Sequence, residues 1–179
     1  MPRVVRRPTL VISGKGDDLA PDLHALAHEL GRLAITAGFR IATGGRGGVM
    51  EAASEGARTA TAYREGDVIG VLPGYDPDAA NGFIDIAIPT GMGEARNVVL
   101  VALADVVVVL GGGAGTLSEI AMAWRLGKPI VAVRTSEGWA AELAGRALDE
   151  RRTDAIAAAD SAAHAIDLAC AAISRTPTR

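Results

Sequence analysis

The sequence is poor in cysteine and in aromatic residues. Cys170 is the only cysteine in 179 residues, so an internal disulfide is excluded and a reducing, cytoplasmic setting is expected. Aromatic residues make up 3% of the chain, which weakens any case for single-stranded nucleic acid bound by base stacking. These two shortages argue against a disulfide-stapled scaffold and against a stacking platform.

Positive charge and long apolar runs are also scarce. The formal net charge is −3, and the basic cluster at Arg3, Arg6 and Arg7 is expected to be a solvated tail, so no nucleic acid partner is predicted. The apolar stretch at residues 98–110 is interrupted by Asp105 and is too short to cross a membrane. The N-terminal sequence also lacks the pattern of a signal peptide, so no membrane partner is expected.

Strand and helix patterns alternate along the whole chain. This alternation predicts an α/β fold with an open parallel sheet covered by helices on both faces. The length suits one domain over residues 1–179, with flexible tails at 1–8 and 175–179. The predicted strands are 9–13, 40–43, 68–72, 83–88, 106–110, 129–133 and 155–158, and the predicted helices are 19–37, 49–60, 94–103, 116–126, 139–148 and a last one ending near 174.

A glycine-rich loop follows the apolar strand at 106–110. Residues 111–116 read Gly-Gly-Gly-Ala-Gly-Thr, and a helix is predicted to begin there. Glycines let backbone N–H groups converge on one point, and the positive end of the helix dipole lies at the same place. We therefore predict a phosphate-binding loop, with the hydroxyl of Thr116 as a further donor. The loop matches neither a Walker A motif nor a dinucleotide fingerprint, which disfavours NTP hydrolysis and hydride transfer.

A second glycine-rich turn, at residues 44–48, follows the strand predicted at 40–43. Ligands of open parallel sheets bind at the carboxyl ends of the strands, so this turn and the loop at 111–116 are expected at one edge. The alternative for each is a tight turn without a ligand. The ligand-binding residues predicted from the strand ends are Gly14, Gly44, Gly45, Gly47, Gly111, Gly112, Gly113, Gly115 and Thr116.

Arg96 and Glu119 are predicted to face the same edge. Arg96 lies in the first turn of the helix predicted at 94–103, where a positive charge opposes the helix dipole, so an anionic ligand or Glu119 is expected to hold it. The alternatives are an exposed Arg96 paired with Glu94 or Asp105, and a Glu119 that merely suits the start of its own helix.

The helix predicted at 94–103 has almost no polar face. A helix that is apolar all round is buried on both sides, and a second copy of the chain is an economical cover for the side that the sheet leaves free. We therefore predict a homodimer, or a larger homo-oligomer, through residues 94–103.

No metal site is predicted. His24 and His28 have the spacing of a metal-binding pair, but no glutamate lies between them and no third ligand is evident. A solvated helix face is the simpler interpretation of this pair.

Three motifs, in this order, resemble the Lonely Guy (LOG) superfamily, long labelled "possible lysine decarboxylase". Residues 44–50 resemble the family's Gly-Gly-Gly-x-x-Gly-Leu-Met segment, Arg96 its arginine at the start of a helix, and residues 111–119 its Pro-Gly-Gly-x-Gly-Thr-x-x-Glu segment. The resemblance covers roughly residues 9–173. It implies a Rossmann-like fold and an oligomer built on a dimer.

The resemblance implies two alternative functions. The family's plant-hormone enzymes are phosphoribohydrolases that cleave the N-glycosidic bond of nucleoside 5′-monophosphates; their glycine loop holds the phosphate, and the residues matching Arg96 and Glu119 are catalytic. This chain has Asn97 where those enzymes have lysine, and Gly111 where they have proline.

Residues 90–97 and 115–121 look closer to a sister branch that includes the molybdenum cofactor carrier proteins, which bind a phosphorylated pterin without altering it. We therefore expect a binding protein for molybdenum cofactor or a nucleoside monophosphate, with no cofactor required for its own action. A phosphoribohydrolase is the alternative.

Overall fold

Seven parallel strands form one sheet in the computed structural model of the chain, which describes residues 6–175. The strands are β1 (Thr9–Gly14), β2 (Arg40–Thr43), β3 (Val68–Leu72), β4 (Ile86–Pro89), β5 (Val106–Leu110), β6 (Ile130–Val133) and β7 (Ala157–Ala159). Their order across the sheet is β4-β3-β2-β1-β5-β6-β7. The helices are α1 (Pro21–Thr36), α2 (Val49–Thr59), α3 (Asn97–Leu103), α4 (Ala114–Arg125), α5 (Gly138–Leu143) and α6 (Ala162–Arg175).

Helices cover both faces of the sheet, because neighbouring side chains of a strand point to opposite faces. Leu10 and Ile12 of β1 pack in a cluster with residues of α1, α2 and α6. Val11, which lies between them, packs in a second cluster with residues of α3, α4 and α5. The predicted Rossmann-like open parallel sheet is therefore confirmed.

Two helices differ from the sequence prediction. Residues 94–103 do not form one helix: a 3-10 turn at Gly93–Arg96 precedes α3. The helix predicted at 139–148 ends at Leu143, because Gly145 has a φ of +81° and its amide bonds to the carbonyl of Ile156 across the loop. In the first case a 3-10 turn replaces the start of the predicted α-helix, and in the second the hydrogen bond to Ile156 ends the helix.

The edge strand predicted at 83–88 is instead Ile86–Pro89. The carboxylate of Asp85 accepts hydrogen bonds from the amides of Gly66 and Val68 and from the hydroxyl of Tyr63. These contacts tie residue 85 to the start of β3, so the strand begins only after it.

α1 and α2 approach each other at two glycines. An added Cβ at Gly31 would lie 2.7 Å from the carbonyl carbon of Ala53, and one at Gly56 would lie 2.6 Å from that of His28. Protein atoms do not approach so closely, so both positions depend on the missing side chain. This packing sets the position of α2, whose first turn borders the site described below.

Two of the N-terminal arginines, Arg6 and Arg7, are held against the body of the protein by ion pairs. Arg6 forms an ion pair with Asp105 at 2.5 Å, and Arg7 forms one with Asp67 at the same distance. Arg6 and Arg7 were expected in the flexible tail 1–8. The described part of the chain leaves out residues 1–5 of that tail and residues 176–179 of the C-terminal tail.

Candidate functional site

A cavity of about 620 Å³ opens at the carboxyl ends of β1 and β5. The connections of the sheet reverse direction between these two central strands, and open α/β sheets bind ligands at such a point. The cavity is lined by Ile12, Ser13, Gly14, Lys15, Gly16, Asp17, Gly44, Met50, Glu94, Arg96, Asn97, Gly112, Gly113, Gly115, Thr116, Glu119, Glu137 and Gly138.

Most of the predicted site residues line this cavity. Gly14, Gly44, Arg96, Gly112, Gly113, Gly115, Thr116 and Glu119 all line the cavity, although they come from four different segments of the chain. Gly45, Gly47 and Gly111, which were also predicted to bind the ligand, do not line the cavity.

The three exceptions have structural contacts of their own. The amide of Gly45 donates to the hydroxyl of Thr43, and a Cβ at residue 45 would lie 2.6 Å from Leu72. A Cβ at Gly47 would lie 3.3 Å from the carbonyl oxygen of Gly16. These two glycines therefore allow the turn after β2 to pack closely against its neighbours.

The amides of residues 112–116, just after β5, have no acceptor among the residues that the structure describes. Gly111 is different, because its amide donates to the hydroxyl oxygen of Ser136 at 2.9 Å. Within residues 6–175, no acceptor meets the amides from Gly112 to Thr116, and the first intrahelical bond of this turn runs from Leu117 to Gly113 at 3.0 Å. The positive end of the dipole of α4 therefore faces the cavity with its first N–H groups free.

Two carbonyl groups of the same loop are bonded to the start of α5. Trp139 and Ala140, at the start of α5, donate their amides to the carbonyl oxygens of Gly112 and Gly111 at 3.2 and 3.1 Å. Gly138 allows this contact, since a Cβ there would lie 3.1 Å from the loop backbone. With its carbonyl groups bonded elsewhere, the loop presents donors to the cavity.

The glycines of the loop serve two different purposes. Gly112 has a φ of +95°, and a Cβ there would overlap the side chain of Thr116, so the backbone requires glycine. Gly113 and Gly115 have no atom within 4 Å of an added Cβ. The space beside these two residues is therefore open, and a ligand could approach their backbone closely.

Arg96 lies buried beside Glu119, one of the two groups that the sequence analysis expected to hold it. Its Nη1 atom is 3.9 Å from Oε1 of Glu119, and only 10% of its side chain is exposed. Gly44 makes room for it, since a Cβ at that position would lie 2.6 Å from Nη2 of Arg96. The other alternative is wrong for Asp105, which pairs with Arg6.

The guanidinium of Arg96 is not satisfied by the protein. Its Nε and Nη1 atoms are buried and have no hydrogen-bond partner among the described residues. Unpartnered buried donors are costly, and sites that wait for a ligand are one place where they occur. Together with the free amides of the loop, this buried cation makes one wall of the cavity suitable for an anion.

Glu119 lies on the same face of α4 as Thr116, three residues earlier. Burial raises the pKa of the Glu119 carboxyl above its ordinary value, while the hydrogen bond from Ser13 and the charge of Arg96 oppose the rise and Glu94 adds to it. A raised pKa favours the neutral form of this carboxyl, which reduces its repulsion of an anion in the same cavity.

Several residues of the site were not predicted from the sequence. Ser13 lies at the end of β1 and donates its hydroxyl to Glu119, and Asn97 donates an amide hydrogen to the hydroxyl oxygen of Ser118 at 2.9 Å. Glu137 reaches the cavity from the turn after β6. The sequence indicated these residues only by their positions at strand ends and at a helix start. Polar residues are common at such positions, so they did not stand out as site residues.

Two further findings concern metals and membranes. In the part of the chain from 6 to 175, no group of three or more His, Cys, Asp or Glu side chains is arranged to hold a metal ion. The Nε2 atom of His24 lies 4.0 Å from Oε2 of Glu55, and neither residue lines the cavity described above. Over the same residues, no helix is both long and apolar enough to cross a bilayer.

Comparisons with known proteins place the chain in a family and agree with its fold. The model of the SLOG cluster4 family matches residues 7–166. An uncharacterized protein of Archaeoglobus fulgidus is 40% identical over 113 residues, which is 63% of this chain and 72% of that protein.

Two solved structures share the fold over almost the whole chain. The molybdenum cofactor binding protein from the phototrophic bacterium Rippkaea orientalis is 35% identical with a TM-score of 0.81, and the match covers 94% of this chain and 98% of that one. The molybdenum cofactor carrier protein from Chlamydomonas reinhardtii is 30% identical with a TM-score of 0.79, covering 94% and 100%.

The raised pKa of Glu119 predicts a pH-dependent effect of Glu119→Gln on stability. The folded protein keeps a proton that the unfolded chain releases above about pH 4.5, so the contribution of Glu119 is full below that pH and is lost as the pH rises through the folded pKa. The free energy of unfolding of the variant, relative to the wild type, should therefore rise with pH by at most about 1.4 kcal/mol per pH unit.

Urea unfolding from roughly pH 4.5 to pH 8 measures this difference. A difference between the two proteins that stays constant over this range would contradict the prediction.

Proposed function

The chain belongs to the SLOG cluster4 family, and from this premise we propose that it is a carrier that binds a phosphate-bearing pterin or nucleotide-like ligand without altering it. Family membership confirms the resemblance to the LOG superfamily in its branch near the molybdenum cofactor carrier proteins. The observation that carries the proposal is the row of free amides from Gly112 to Thr116, which faces the cavity at the start of α4.

The free amides suit a phosphate group. A phosphate brings several strong acceptor oxygens, and a helix N-terminus with unbonded N–H groups attracts negative charge. The hydroxyl of Thr116 adds a donor, and the guanidinium of Arg96 adds a buried positive charge on the same cavity. These groups would bind a phosphate through fixed donors, with little rearrangement of the protein.

The remaining volume suits the rest of such a ligand. A cavity of about 620 Å³ falls within the range of roughly 300–1,000 Å³ that holds small molecules in proteins. Gly113 and Gly115 leave the floor of the cavity without side chains, so the ligand can lie directly on the backbone. Molybdenum cofactor, as cargo, combines a phosphate with a pterin ring system, and the donors of this wall fit its phosphate end.

A phosphoribohydrolase remains the second candidate, because of Glu119. A buried carboxyl beside a phosphate-binding loop could stabilise the positive charge that develops on a ribose ring as its N-glycosidic bond breaks. Arg96 would then hold the phosphate or the leaving base. In this candidate Glu119 acts as a carboxylate beside the substrate. The carrier is the better supported of the two, because the solved structures at 35% and 30% identity are a molybdenum cofactor binding protein and a molybdenum cofactor carrier protein.

We also propose that the chain forms a homodimer through residues 94–103. Leu100 and Val101 of α3 are buried within one chain, but Val98 is 46% exposed, and Met92 just before this segment is 45% exposed. A second copy related by a twofold axis would cover this apolar face. Sedimentation equilibrium should show a dimer that Val98→Glu weakens, and a wild-type monomer at all concentrations would contradict the proposal.

Gly115→Ala should separate binding from folding. The new methyl group meets no protein atom and the position is helical, so the free energy of unfolding should stay the same or rise by up to about 1 kcal/mol. The methyl group would occupy the floor of the cavity, so ligand affinity should fall about tenfold or more.

Mass spectrometry of the small molecule released from denatured wild-type protein identifies the ligand, and the amount that each variant retains measures the loss. Gly82→Ala is the matched control, because a Cβ there also meets open space but lies outside the cavity. Equal retention of the phosphorylated compound by Gly115→Ala and Gly82→Ala would contradict the proposed position of the ligand.

Incubation with AMP and other nucleoside monophosphates distinguishes the carrier from the hydrolase. A carrier should release no free base, whereas an enzyme should release base and ribose 5-phosphate, and Glu119→Gln should then slow it by roughly 10²–10⁴-fold. Base release that depends on Glu119 would overturn the carrier, and chromatography of the reaction mixture gives the answer directly.

A further inference from the structure

Carboxyl groups outnumber cations around the proposed anion site. The positively charged residues that line the cavity are Lys15 and Arg96, and the acidic ones are Asp17, Glu94, Glu119 and Glu137. An anionic ligand must therefore reach a wall of donors through surroundings that contain more carboxyl groups than cations. The affinity for an anionic ligand therefore depends on whether Lys15 and Arg96 are engaged by these carboxyl groups.

The two cations are held differently. Arg96 is buried beside Glu119 with 10% of its side chain exposed, so it has little room to change partner. Lys15 is 35% exposed, and its ammonium lies 3.4 Å from a carboxylate oxygen of Glu137, which is itself 63% exposed. Exposed ion pairs of this kind add little to stability, so the pair between Lys15 and Glu137 is easily broken.

This ion pair passes over the phosphate-binding loop. Lys15 follows β1 and Glu137 follows β6, and β5, which leads into the loop, lies between these two strands. The Cγ atom of Glu137 would lie 3.8 Å from a Cβ at Gly111, so the glutamate stem rests on the first residue of the loop. The pair therefore bridges the two sides of the loop.

The backbone of Lys15 is fixed, whereas its ammonium group is not. The carbonyl oxygen of Lys15 accepts a hydrogen bond of 2.8 Å from the amide of Val49 at the start of α2. From this fixed point the flexible four-carbon stem lets the ammonium change its partner. A phosphate on the free amides would lie in the cavity that Lys15 also lines, and it would carry more negative charge than the single carboxylate of Glu137.

We propose that Lys15 is a ligand-binding residue that exchanges Glu137 for the phosphate of the ligand, so that Glu137 competes with the ligand for the ammonium group. This inference rests on the proposed function and adds a ligand class to it. A dianionic phosphate monoester competes well with a carboxylate, whereas a neutral nucleoside or a phosphate diester competes poorly. The pair of Lys15 and Glu137 therefore selects terminal phosphate groups.

The test uses inorganic phosphate as the probe and follows the amide NMR signals of Gly112–Thr116 during a titration of the full chain, at a pH at which phosphate is a dianion. Lys15→Met should weaken binding by about three- to tenfold, and Glu137→Gln should tighten it by about two- to fivefold. Arg125→Met and Glu150→Gln remove the same charges at exposed positions away from the cavity and should leave the affinity unchanged.

The double variant separates competition from a general effect of charge. If Glu137 acts by pairing with Lys15, Glu137→Gln should not increase the phosphate affinity of the Lys15→Met variant. If the two charges act independently on the phosphate, the effects of the two substitutions on affinity should instead be additive. An equal gain in both backgrounds, or an unchanged affinity of Lys15→Met, overturns the inference while phosphate binding by the wild type still supports the proposed function. A wild-type protein whose loop signals do not respond to phosphate overturns both.

Discussion

The orientation of the peptide groups after β5 is the constraint on which the site depends. The carbonyl groups of Gly111 and Gly112 bond to amides at the start of α5, and the positive φ values of both residues allow the chain to turn there. Because the carbonyl groups face α5, the amides from Gly112 to Thr116 are left for the cavity. If the segment from Ser136 to Ala140 were displaced, the peptide groups of Gly111 and Gly112 would lose the hydrogen bonds that fix their orientation.

The cavity joins the wall proposed to bind an anion to a group of carboxyl groups, and two features reduce the repulsion between them. Glu119 is buried, which raises its pKa and favours its neutral form, while Glu137 is paired with Lys15. An uncompensated carboxylate would oppose a phosphate most strongly at buried Glu119, and less strongly at Glu137, which is largely exposed to solvent. Arg96 supplies a buried positive charge that the protein does not fully use, and Gly44 provides the space for it.

The fold follows from local patterns that each segment carries alone. The apolar run Val106–Leu110 is buried on both sides and could only be a central strand, and the helices beside it show one apolar face each. The glycine loop at 111–116 and the charged residues Arg96 and Glu119 were also recognisable, because residue type and position at a strand end or a helix start are properties of the sequence. Boundaries were less certain where tertiary hydrogen bonds decided them, as at Asp85 and Gly145.

The sequence by itself determined the parallel α/β sheet, and it placed the glycine loop at the carboxyl edge of that sheet, since periodicity and turn chemistry are local. Only the tertiary structure decided which glycines face the cavity, because that depends on contacts between distant segments. Gly45 packs on Leu72 and Gly111 bonds to Ser136, whereas Gly113 and Gly115 face open space. The ion pair of Lys15 and Glu137 joins residues on two non-adjacent strands, and no sequence pattern encodes such a distance.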